Sequence, residues 1–253
     1  MSEIMDLIER IASGPERRIG FGQSQEQPDR QLPILIAITH SDTSSSDLSQ
    51  ADGVASIVPT LTALKKQLAS TKNLPWGIWG SSNIDKIISR VCETKDMKPD
   101  FIVLSADVSS LEIMQEPNIA KILRIPLSIT TDALFGMASI PVDAVTVCLD
   151  NTTSVSLETI GRIGTIRSVI DKPLLLELQG AISPPLLTFI KDLGIEGLAV
   201  DTSSGNSESV STIKELLNSI PKKDKRAEKQ RPSAVIGGAL SYSVTADENE
   251  ELE

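Results

Sequence analysis

A chain of 253 residues that is 40% hydrophobic but only 3% aromatic must build its core from Ile, Leu, Val and Ala, a composition suited to parallel strands buried on both faces. A net charge of −10, from 34 acidic against 24 basic side chains, argues against a nucleic-acid surface, which needs clustered Lys and Arg. No apolar run approaches the roughly 18 residues of a membrane span and no signal-peptide core opens the chain, so the sequence reads as cytoplasmic with no membrane partner.

The two cysteines, Cys92 and Cys148, fall far apart in a predicted helix and a predicted strand. That spacing gives no disulfide framework and fits a reducing compartment.

Residues 3–12 space Ile4, Leu7, Ile8 and Ile11 along one helical face, and Ser13-Gly14-Pro15 stops the helix. Such a lead-in helix can plug the lower end of a barrel or pack elsewhere on the body. Residues 22–33 are rich in Gln, Ser, Pro and charge, and read as a loop. Eight short apolar runs then follow: Ile34–Ile38, Val54–Val58, Trp76–Trp79, Phe101–Ser105, Ile125–Thr130, Ala144–Leu149, Pro173–Leu178 and Gly197–Asp201. Helix-like segments separate most of them. The clearest is capped by Ser183-Pro184, striped with Leu186, Leu187, Ile190 and Leu193, and closed by Gly194.

Others start at Ser82 or Asn83, run through residues 155–170, and end with a stripe of Val210, Ile213, Leu216, Leu217 and Ile220. The link 39–52 is short and Ser-rich, and Pro126 in the fifth run makes that strand's limits uncertain. Eight β–α units at this pitch predict an α/β fold, a closed (β/α)8 TIM barrel. The expected organisation is an N-terminal helix and loop over 1–31, the barrel over 32–220, and a disordered charged tail over 221–253.

Active sites of such barrels lie at the carboxyl ends of the strands. Alternation along each strand sorts the polar residues there into inward-pointing sets. These are Ser105 and Asp107; Ser128, Thr130 and Asp132; Thr146, Cys148 and Asp150; Glu177 and Gln179; and Asp201. Asp107, Asp150 and Glu177 are the candidate catalytic acids or bases, although an Asp just after a strand serves equally well as a helix N-cap. Glu177 stands inside Leu174-Leu175-Leu176-Glu177-Leu178, where a buried carboxylate demands a partner unless it reaches the mouth; the mouth is the favoured reading. His40, the single histidine, reads as a loop residue rather than a general base.

The loops after the last two strands read Gln179-Gly180-Ala181-Ile182 and Asp201-Thr202-Ser203-Ser204-Gly205-Asn206. Small residues let backbone N–H groups approach an anion, which makes Gly180, Ala181, Ser203, Ser204 and Gly205 candidate phosphate-binding residues.

At these loops the chain resembles the aldolase-type, phosphate-binding branch of the (β/α)8 barrels, over roughly residues 32–220. At Ile140-Pro141-Val142-Asp143-Ala144 it resembles barrel proteins that carry no assigned activity. The likeness implies a phosphate site in the last two loops. It departs from Schiff-base aldolases, because no strand carries a lysine near its carboxyl end. The mouth also shows no evident Arg or Lys to balance a phosphorylated sugar.

Metal spacings of the Cys-x-x-Cys or His-Glu-x-x-His kind are absent. No cofactor is therefore expected, with a divalent cation held by mouth carboxylates as the one exception. Two functional readings follow: a lyase or isomerase acting on a small phosphorylated metabolite, or a non-catalytic barrel that binds a protein partner through its charged tail.

Overall fold

The computed structural model describes residues 2–13, 32–40, 48, 50–57, 60, 62, 74–80, 98–107, 111–149, 155–180, 182–202 and 210–219, all within the compact unit Met1–Ile220. Eight parallel strands close into a barrel in chain order, with β8 pairing back to β1. They are β1 (Ile34–Thr39), β2 (Gly53–Ser56), β3 (Trp76–Trp79), β4 (Phe101–Ser105), β5 (Ala120–Pro126), β6 (Ala144–Leu149), β7 (Leu174–Leu178) and β8 (Gly197–Asp201). Five α-helices are described: α1 (Glu3–Ser13), α2 (Thr131–Ala138), α3 (Leu157–Val169), α4 (Pro184–Leu193) and α5 (Val210–Ser219). The TIM barrel predicted from the eight apolar runs is thus the observed fold. The expected helix starting at Ser82 or Asn83, Cys92, and the tail over 221–253 lie outside the described residues.

One expectation needs correction. The fifth strand is Ala120–Pro126, not Ile125–Thr130. Its run Ala120-Lys121-Ile122-Leu123-Arg124-Ile125 is broken by two charges, which hid it. Lys121 reaches back to donate its Nζ to the Glu116 carbonyl, and Arg124 has a carboxylate partner inside the barrel. Pro126, with no N–H to give the ladder, is the strand's last residue. Thr130 is consequently no strand residue: it caps α2, its Oγ1 accepting from Ala133 N at 3.4 Å, and Asp132 sits exposed in that helix's first turn.

Alternation divides the core in two. Alternate residues such as Ile36, Val103, Ile122, Leu175 and Ala199 form an inner cluster along the axis. Their neighbours, such as Leu35, Leu123, Val145, Leu176 and Val200, pack outward against the helices.

Helix α1 belongs to the inner cluster through Ile4, Met5 and Ile8. It is fixed at the amino end of the barrel by Asp100, which precedes β4. That carboxylate accepts from Ser2 Oγ at 2.8 Å, Glu3 N at 2.7 Å and Ile4 N at 2.8 Å, satisfying the donors that a helix start leaves open. The lead-in helix is therefore the barrel's lower plug. Gly194 ends α4 in the left-handed region at φ 75°, as its place after the Leu stripe predicts.

Asp100 is one of four acids that stand just before the even-numbered strands. Asp52, Asp143 and Glu196 repeat a reciprocal link to the preceding strand. Asp52 N donates to Leu35 O while Leu35 N donates to the Asp52 carboxylate, both at 2.8 Å. Asp143 does the same with Lys121, and Glu196 with Leu174. Lys214 on α5 adds an ion pair to Asp52 at 2.6 Å, and Arg167 on α3 adds one to Glu196 at 2.8 Å. At the amino end, then, the acids that precede these strands commit their oxygens to backbone N–H groups, and Asp52 and Glu196 hold a cation as well.

Candidate anion site at the barrel mouth

The carboxyl ends of the strands are built differently. Register aligns Ser105 with Arg124, Arg124 with Thr146, and Cys148 with Glu177, so four neighbouring strands bring polar side chains onto the inner face. The central contact is bidentate. Arg124 Nε donates to Glu177 Oε2 at 2.6 Å and Nη2 donates to Oε1 at 3.0 Å. Planar guanidinium matches planar carboxylate here, the geometry that makes such pairs directional.

Glu177 is 4% exposed, so an unpaired carboxylate at this position would be costly. Hydrogen bonding to Glu177 drives the Arg124 pKa up from its ordinary value; burial acts against this and is outweighed. A raised arginine pKa means that this stabilisation of the charged guanidinium is complete below the arginine's unfolded-state value and is lost as pH rises through the folded-state value. Gln179 Nε2 donates to Glu177 Oε1 at 3.3 Å and to Cys148 Sγ at 3.7 Å, which extends the network across β6 and β7.

Arg124 is not sealed in. Its side chain is 32% exposed and lines an open cavity of about 680 Å³, within the range of small-molecule sites. Ser105, Asp107, Ser128 and Cys148 line the same cavity, as do Glu158, Thr159 and Arg162 from the first turns of α3. That helix begins at Ser156, whose Oγ accepts from Thr159 N at 3.1 Å. Beside Arg124 in the β6 register, Thr146 Oγ1 is wholly buried and finds no hydrogen-bond partner.

Of the residues predicted as catalytic, Asp107 is exposed in the turn after β4 and lines the cavity. Glu177 lies at the carboxyl end of β7, yet its two oxygens are taken by Arg124. The expectation of a mouth without Arg or Lys is overturned: Arg124 was missed because its strand was misplaced and its partner is 53 positions away. Asp150 lies outside the described residues, as do Ala181, Ser203, Ser204 and Gly205 of the predicted phosphate loops. Gly180 is described and adopts φ 97°, a conformation that favours glycine.

His40 is also more than a loop residue. Its Nε2 lies 3.1 Å from Asp201 Oδ1, joining the ends of β1 and β8. Among the described residues, no group of three or more His, Cys, Asp or Glu side chains could hold a metal ion, and no helix is long and apolar enough to cross a membrane.

No protein-family model matches the chain, and no curated protein matches it by sequence. Among solved structures it is similar to tryptophan synthase from Pyrococcus furiosus. One mutant alpha-subunit superposes with a TM-score of 0.55 at 13% identity, over 75% of this chain and 99% of that chain. A second mutant gives 0.56 at 14% identity over the same shares. The tryptophan synthase complex from the same organism gives 0.56 at 12% identity, over 75% and 98%. At this identity the likeness establishes the TIM-barrel fold.

Proposed function

We propose that the chain is a barrel enzyme of the lyase or isomerase type whose substrate is a small anionic metabolite, phosphorylated or carboxylated, held at the carboxyl end of the barrel by Arg124. One observation carries this reading: a guanidinium locked by Glu177 at 2.6 and 3.0 Å still faces an open cavity. A guanidinium fixed in advance loses little side-chain freedom when an anion docks on its remaining N–H groups, and it suits planar, two-point recognition of oxyanions.

Glu177 then acts as a positioning residue. Asp107 is the acid or base that faces the same cavity, with Asp150 as the second candidate. The structural neighbours belong to an enzyme, tryptophan synthase, which supports the enzymatic reading. The engagement of Glu177 favours a second reading. With one of three acid–base candidates occupied, the barrel would bind its anion without turning it over and would reach a protein partner through residues 222–253.

Thermal unfolding of the full chain with inorganic phosphate or glycerol 3-phosphate tests the anion site. Both should raise Tm. The paired substitution Arg124→Gln with Glu177→Gln, which leaves no lone charge, should remove the rise. Ser204→Asp should leave it in place. A flat Tm with every anion would sink the reading, and loss of the rise only in Ser204→Asp would move the site to the loop after β8. Turnover across a panel of phosphorylated metabolites separates enzyme from binder.

A further inference from the structure

A second arginine lines the same cavity. Arg162 lies in the second turn of α3, at the cavity's helical wall, and pairs with Glu158 at 3.1 Å. The two pairs differ in kind. Arg124 is clamped to a buried carboxylate, whereas Arg162 and Glu158 are both more than half exposed. An exposed i,i+4 pair is weak and opens readily to a competing anion.

The two guanidinium groups also have separate anchorages. Arg124 stands on β5 and cannot swing outward without leaving the buried Glu177 without its cation. Arg162 is carried by the helix and lines the same cavity. The rest of the lining is hydroxylic and mildly polar, with Ser105, Ser128 and Thr159, and Asp107 follows β4 beside Arg124's strand.

We infer that the ligand of this site bears two separated anionic groups, one docked on Arg124 and the other on Arg162, joined by a short hydroxylated backbone. This rests on the anion site proposed above and adds its ligand class. The two pairs divide the work: Arg124 keeps N–H groups beyond those that Glu177 takes, and the exposed Glu158 gives way to an incoming anion, which frees the Arg162 charge for the second anionic end. Asp107, a carboxylate on the β4 side, opposes an anion there and turns the ligand's hydroxyl-bearing middle toward itself. A cavity of about 680 Å³ holds a molecule of this length, while a lone phosphate would leave most of it to water.

The test is calorimetric titration of the full chain with three probes: inorganic phosphate, glycerol 3-phosphate with one anionic end, and 3-phosphoglycerate with two. The doubly anionic probe should bind about tenfold or more tightly than glycerol 3-phosphate, the size of one added charge-assisted contact. Arg162→Gln, at an exposed position where folding is not at stake, should bring that ratio close to one. Arg162→Lys should restore part of it.

A ratio near one in the unaltered protein, or a tenfold advantage that survives Arg162→Gln, would overturn the inference. In either case, phosphate binding that is lost in the paired Arg124→Gln, Glu177→Gln variant leaves the anion site standing. If none of the three probes binds, the site and its ligand class fall together.

Discussion

The two ends of this barrel use charge for opposite purposes. At the amino end, Asp52, Asp100, Asp143 and Glu196 each precede an even-numbered strand and spend their oxygens on backbone N–H groups. Helix α1 covers that end with Ile4, Met5 and Ile8. At the carboxyl end, the Arg124–Glu177 pair leaves a guanidinium facing an open cavity. Conserving geometry is the task of one end and presenting charge that of the other, the division of labour expected of this fold. A carboxylate in a barrel is therefore informative only with its partner: Glu196 and Glu177 are equally buried, yet only Glu177 holds a side chain that reaches the mouth.

Substitutions at the two ends sharpen the contrast. Glu196→Ala takes the carboxylate partner from Arg167 and the acceptor from the buried Leu174 amide, and should cost about 3–5 kcal/mol in chemical denaturation. The folded fraction should keep its full response to phosphate, and loss of that response would break the distinction between the ends. Glu177→Ala should cost less, about 2–3 kcal/mol, because the groups it releases are side chains that can turn toward water, whereas Glu196 also serves a buried backbone amide. It should nevertheless weaken phosphate binding by freeing the guanidinium to move.

Asp100→Ala removes the cap of α1 and should cost about 1–2 kcal/mol, with amide exchange rising first in residues 3–13. Gly180→Ala forces a side chain into φ 97°, for about 1 kcal/mol. Arg162→Gln should change unfolding stability by less than about 0.5 kcal/mol.

How much of this could be read from the chain follows from what each residue reports about itself. Strands β3, β4, β6 and β8 were legible to the residue because short, mostly apolar runs need no partner to be recognised. The α4 helix was legible because Ser183-Pro184 and Gly194 are local signals. Strand β5 was not, since Lys121 and Arg124 make sense only once Glu116 and Glu177 are placed beside them. His40 looked ordinary because Asp201 is 161 positions away.

The four amino-end acids carried a signal that a closer reading could have used. Asp, Asp, Asp and Glu stand immediately before the even strands, at Gly53, Phe101, Ala144 and Gly197. Glu177 was caught between two readings. Its burial in an apolar run demanded either the mouth or a partner, and the structure supplies the partner: Glu177 is buried on Arg124, and it is Arg124 that lines the cavity.

The most direct test of the account is a crystal structure of the full chain grown with glycerol 3-phosphate. The account predicts oxygens of the bound anion within hydrogen-bond reach of the outer N–H groups of Arg124, with the Glu177 pair unbroken. An anion seated instead on Ser203–Gly205, with Arg124 touching solvent alone, would contradict it.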